Sequence, residues 1–184
     1  MRRMLIVLGA LAVSGCGYNR IQTLDEQVSA YQGQIEVQLQ RRADLVPNLV
    51  ETVKGFAQQE REIFEQVTSA RASLGGAIEG GSLQEMAVAN QQLTSALGRL
   101  IAIAEDNPEI QSNENFRMLQ SQLEGTENRV AVARRDYNEA VRAYNAYIRR
   151  FPQVLTAKVV GAGPRGYFEA DEGAGAAPPV DFGT

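Results

Sequence analysis

Few side chains in this sequence are equipped for chemistry, and Cys16 comes first among them. It is the sole cysteine, and the chain has no histidine. An intrachain disulfide and a cysteine-based metal site are thereby excluded, as are histidine ligation and histidine-mediated proton transfer. The segment Val13-Ser14-Gly15-Cys16 resembles the bacterial lipobox, in which the thiol is acylated and the chain is cut just before it. A valine where leucine is commoner is its one departure. Glu60, Glu62 and Glu65 lie close in sequence, which raises the thought of a di-iron site between facing helices. Such sites combine Glu with Glu-x-x-His, so these residues read as a solvated helix face. Gly75, Gly76, Gly80 and Gly81 are no phosphate loop, since no strand precedes them and no Lys-Ser/Thr pair closes them. Only Lys54 and Lys158 are available to activate a serine, and no motif places either beside one. The residues thus describe a protein that is not an enzyme and calls for no cofactor.

Arg42 is the most informative charge. It stands seven residues beyond Ile35, on the apolar side of a helical pattern, where a cation needs a partner. Asp44 or a Glu of a neighbouring helix is the expected one, giving an Arg42–Asp44 type of ion pair that fixes a turn. Asn138 and Asn145, each directly after a heptad tyrosine, read as setting register.

The elements that position these groups begin with an export signal. Arg2 and Arg3 precede an apolar run from Leu5 to Val13, about half of what a membrane-crossing helix needs. Residues 1–15 are read as a lipoprotein signal and the mature chain as starting at Cys16. Gly17, in place of the Asp associated with inner-membrane retention in Gram-negative bacteria, favours the outer membrane over the inner one. Net charge is −4, and loss of Arg2 and Arg3 leaves 16 basic against 22 acidic residues, or −6. Nucleic acid, which demands a basic footprint, is not an expected partner, and the acidic total gives no reason to expect adhesion to anionic lipid.

Four apolar stripes follow. Ile21, Leu24, Val28, Tyr31, Ile35 and Leu39 define a helix over about 19–43. Pro47 lacks a helix donor and biases Val46 away from helical angles, so Asp44–Pro47 is read as a turn with Pro47 opening the next helix; the alternative is a kink within one very long rod. Leu49, Val53, Phe56, Ile63, Val67 and Ala70 carry a second helix to about Leu74, and the glycines at 75–81 a loop. Ser82 with Glu85 forms a capping box for a third helix, with Leu83, Met86, Leu93, Leu97, Leu100, Ile101 and Ala104 on its core side. Asn107-Pro108 caps and opens the fourth. That stretch repeats Phe116, Leu123, Val130, Tyr137, Tyr144 and Phe151 every seven residues, with Leu119, Thr126, Ala133, Ala140 and Tyr147 as companions. Its start lies either at Pro108 or nearer Asn113. The expected fold is all-α, an antiparallel up-down four-helix bundle of long coiled-coil-like helices over residues 16–160. A further turn or two is expected over Val154–Val160. From 161 to 184 the chain is read as a flexible tail, 14 of its 24 residues being Gly, Ala or Pro.

Several blocks together are similar to the LemA family of bacterial envelope proteins. They include Tyr18-Asn19 and the run from Val37 to Phe56, with Arg41-Arg42-Ala43-Asp44-Leu45-Val46-Pro47 at its centre. Ala70-Arg71-Ala72, Glu127-Asn128-Arg129-Val130, Tyr137-Asn138, Tyr144-Asn145, Phe151-Pro152 and Tyr167-Phe168-Glu169 continue the match. The resemblance implies a helical bundle tethered outside the cytoplasm, without established enzymatic activity. Typical members have a longer amino-terminal membrane segment than this chain. The expected role is that of a membrane-tethered envelope scaffold or adaptor that engages another envelope protein. Its Val180-Asp181-Phe182 end suits docking on a partner's sheet edge. The alternative is a module that binds a lipid or other apolar ligand between its helices.

Overall fold

The computed structural model describes residues 2–56 and 60–169, with side chains from residue 17 onward. Every regular element among them is a helix: α1 (Arg2–Lys54), α2 (Arg61–Gly80), α3 (Leu83–Glu105), α4 (Pro108–Gln111), α5 (Glu114–Ile148) and α6 (Gln153–Val160). The chain divides into two compact units. One comprises the chain up to Val37 and Val130–Tyr167; the other comprises Gln38–Arg129 and the chain from Phe168 on.

The turn expected at Asp44–Pro47 is absent, because α1 runs through Pro47 without a break. Proline inside a helix costs about 3 kcal/mol, through a lost donor and a clash with the carbonyl four residues back. That carbonyl belongs to Ala43, and it accepts a 2.9 Å hydrogen bond from Arg71 Nε of α2 instead. Continuity also keeps Leu39, Ala43, Val46, Leu49 and Val53 on one buried face. Burying each larger side chain contributes roughly 1.5–3 kcal/mol, so several of them outweigh one interior proline.

The second helix starts later and ends later than expected. Phe64, Val67, Ala70, Leu74 and Ala77 form its buried stripe, and Ala77 keeps the helix going past Gly75 and Gly76. The stop falls at Gly81, whose φ of 69° is the left-handed cap that glycine takes without strain. The expected loop over 75–81 therefore shrinks to Gly81 and Ser82. Ser82 caps α3 as anticipated, accepting from Glu85 N at 3.4 Å. The small residues Ala70, Ala77, Ala89 and Ala96 let α2 and α3 pack closely along their lengths.

The fourth apolar stripe is divided. Asn107 accepts from Glu109 N at 3.0 Å and opens α4. Asn113 then accepts from Phe116 N at 3.2 Å and opens α5, so the long helix starts near Asn113. Phe116, Leu123, Val130, Tyr137 and Tyr144 are buried in heptad register. Phe151 is not: α5 stops at Ile148, and Phe151 is 81% exposed. Pro152 accounts for that, since it disfavours helical angles at the residue before it. The short α6 follows, over nearly the expected residues.

The chain after Gly161 departs from expectation. Residues 162–169 carry no helix, yet side chains of α1 and α5 hold this stretch down, and Phe168 is buried. A segment poor in apolar residues is fixed here by hydrogen bonds.

Candidate functional site

Two polar constellations stand out, one in each unit. In the unit containing Gln38–Arg129, the α1 helix carries Arg42 into the core, only 3% exposed. Its Nη1 donates to Asn90 Oδ1 of α3 at 2.9 Å, and its Nη2 lies 3.5 Å from Glu127 Oε2 of α5. The Nε finds no partner among the described residues. Burial pulls the Arg42 pKa down from its ordinary value, and Glu127 pushes it back up. Glu127 is about half exposed, so that ion pair is screened by solvent, and the bond to buried Asn90 is the stronger tie.

Asp44 takes no part in this cluster. It is exposed and accepts from Gln40 Nε2 at 2.8 Å. Residues two apart on a helix point to different faces, so a carboxylate at 44 cannot follow Arg42 into the core once α1 is continuous. The fold uses Glu127 from α5 in its place. Of the carboxylates at 60–65, Glu62 and Glu65 border an open groove of about 680 Å³ along α2 and α3. Gln66, Ser69, Gln92 and Arg99 share its walls, and Arg99 Nη1 donates to Gln66 Oε1 at 3.1 Å.

The other constellation pins the chain after α6. Asn145 of α5 makes two reciprocal 2.9 Å bonds with the backbone of Arg165, donating to its carbonyl and accepting from its N–H. Arg165 in turn reaches Asp25 of α1 through Nε at 2.9 Å and Nη2 at 3.0 Å, a bidentate pair. Tyr137 donates its hydroxyl to Gly166 O at 2.9 Å. Asn145 had been read only as setting register; its actual partner has no spacing relation to it that a sequence pattern would reveal. The thiol of Cys16 and the Val180-Asp181-Phe182 end lie outside the described side chains.

With this geometry in place the comparison with known proteins is informative. The profile of the LemA family matches residues 31–182. The chain belongs to the LemA family. The matched span begins past Cys16 and contains Pro47, Arg71, the Arg42 cluster and the Asn145–Arg165 pin. Similar proteins include magnetosome protein MamQ 2 of Paramagnetospirillum magneticum, 30% identical over 190 residues, which cover 90% of this chain and 70% of that protein. Magnetosome protein MamQ of Magnetospirillum gryphiswaldense is 29% identical over 167 residues, covering 78% of this chain and 61% of that protein. Within this LemA-family chain both constellations tie the protein's own elements together.

Two outcomes follow. Asn90→Leu removes the shortest bond of the buried guanidinium while Glu127 remains, at about 1.5–3 kcal/mol, whereas Arg42→Met leaves a neutral amide without that partner, at about 1–3 kcal/mol. Urea unfolding of the double variant should then show a cost below the sum of the two by about 1 kcal/mol or more. The second outcome concerns alkali. Burial raises the Tyr137 and Tyr144 pKa values; Asp25 adds to the shift at Tyr144, and Arg165 opposes it at both. The folded state therefore holds these protons more tightly than the unfolded chain does. Their contribution is complete below a pH of about 10 and is lost as pH rises beyond it. Tyrosinate absorbance should show a late phase that Tyr137→Phe and Tyr144→Phe each diminish.

Proposed function

We propose that this LemA-family protein is a helical scaffold or adaptor, tethered to a membrane outside the cytoplasm through an acylated Cys16, that engages another envelope protein. One observation carries the reading. The buried polar residues among those described, Arg42, Asn90, Thr126 and Asn145, each make at least one bond to the protein's own helices or backbone, with Arg42 Nε left over. Polar groups so engaged hold a shape; they are not poised toward a substrate. Residues 1–15 act as the export signal in this reading, and Gly17 directs the lipoprotein toward the outer membrane. Val180-Asp181-Phe182 docks on the partner. Among the described residues no helix is long and apolar enough to cross a membrane; the tether proposed is the acyl group that the lipobox-like Val13-Ser14-Gly15-Cys16 would receive.

The alternative of an apolar ligand between the helices gains less support. The groove along α2 and α3 is lined by carboxylate, amide and hydroxyl groups, whereas apolar ligands are held by largely apolar walls. The MamQ relatives are named for the magnetosome, and the proposal takes from them the family alone.

Expression of the full chain in a bacterium fed a clickable fatty acid tests the tether. The native protein should carry the label and sediment with membranes, while Cys16→Ala should lose the label and retain the signal. Labelling that survives Cys16→Ala removes the lipid anchor from the account. Crosslinking in those cells should capture a partner that deletion of residues 176–184 releases; an unchanged capture removes the tail from the docking role.

A further inference from the structure

We propose that α6 and the turn before it form a second membrane contact, lying on an anionic phospholipid surface beside the anchor cysteine. The inference rests on the tether proposed above and gives it a protein component. Phe151, Leu155 and Val159 recur every fourth residue and are 81%, 55% and 87% exposed. Leu155 and Val159 share one face of α6, and Phe151 stands in the turn just before it; large apolar side chains exposed together in this way are costly in water and mark a surface that meets something else. Ala157 is buried on the opposite side, so α6 is seated on its unit by one face and offers the other.

Position identifies the occupant. A methyl group placed on Gly17 would lie 3.4 Å from Thr156 Oγ1 and 3.9 Å from Gln153 Cγ. Gly17 is the neighbour of Cys16, so α6 packs one residue from the acylation point. An acyl chain on that thiol brings the bilayer surface to this end of the unit. Tyr18, 44% exposed, stands at the same level, where an aromatic ring with a polar tip suits a lipid interface.

Charge points the same way. Residues 17–24 and 146–160 contain Arg20, Arg149, Arg150 and Lys158 and no acidic residue, in a chain whose net charge is −4. All four basic residues are exposed. The acidic total gives by itself no reason to expect anionic lipid, but these basic residues are concentrated where the tether emerges. Apolar side chains with a basic rim are what an interfacial helix presents to headgroups. A single acyl chain binds only marginally, and this face would add apolar burial and electrostatic attraction beside it.

The chain has no tryptophan, so Phe151→Trp and Val159→Trp each introduce a unique reporter. Val37→Trp is the control: that position is 62% exposed in the same unit, about 30 Å along α1 from Gly17 at 1.5 Å per residue. Full-length protein purified from membranes is reconstituted into phosphatidylethanolamine–phosphatidylglycerol vesicles containing brominated acyl chains. The indoles of Phe151→Trp and Val159→Trp should shift to the blue and be quenched, and that of Val37→Trp should do neither. In the unacylated Cys16→Ser chain, changing Arg149, Arg150 and Lys158 to glutamine should weaken vesicle binding by about fivefold per charge. Protein that floats with the vesicles but is quenched equally at all three positions overturns the α6 contact and leaves the tether standing. Emission already blue-shifted before lipid is added shows that a protein covers this face, and also overturns it. Failure of the native protein to float removes tether and contact together.

Discussion

The carbonyl of Ala43 is the point on which the α1 helix turns from two pieces into one. Pro47 cannot supply the donor that this oxygen would receive in an uninterrupted helix. Arg71 of α2 supplies it from a position 28 residues further along the chain, at 2.9 Å. An unmet carbonyl in a part-buried site costs about 1–3 kcal/mol, so the arginine removes much of the penalty for keeping the helix intact. Intact, α1 presents Leu39, Ala43, Val46, Leu49 and Val53 as one buried face and carries Arg42 to Asn90. Arg71 thus joins α2 to α1 and satisfies α1 at the same time.

The other unit is secured on a similar principle with different groups. Its returning chain, residues 161–167, has little apolar surface to bury. Asn145 imitates a backbone pair by both donating to and accepting from Arg165, and the Arg165 side chain closes on Asp25. Tyr137 serves twice, its ring filling the core and its hydroxyl holding Gly166. In both units, polar side chains on helices satisfy backbone groups that no helix would satisfy. That economy explains why the deepest polar residues of this LemA-family chain read as structure.

Much of this was legible from apolar spacing. Ile21, Leu24, Val28, Ile35 and Leu39, and the heptads from Phe116 to Tyr144, are buried as their periodicity required. The caps at Ser82 and Asn107 were also readable, because a cap and its partner lie within three residues. The errors share one cause. From local spacing Pro47 reads first as a turn and only second as a kink, the Arg42 partner as Asp44 or an unspecified neighbouring Glu, and residues 162–169 as part of a mobile tail, since each outcome depends on a residue distant in sequence: Arg71, Glu127 and Asn145. Local pattern shows which groups lack a partner. It does not show which remote side chain the fold will bring to them.

The helical framework and the proposed role meet in one requirement: a tethered adaptor must hold its shape through bonds among its own residues, and the Arg71–Ala43 bond is the clearest of these. A double-mutant cycle between Pro47→Ala and Arg71→Ala, read by urea unfolding, tests it most directly. In the native background Arg71→Ala should cost about 1.5–3 kcal/mol, the range for a hydrogen bond from a charged donor. With Pro47→Ala the restored N–H takes over the Ala43 carbonyl, and most of that cost should vanish. An equal loss in both backgrounds would contradict the account, for it would mean that Arg71 does not compensate for the proline.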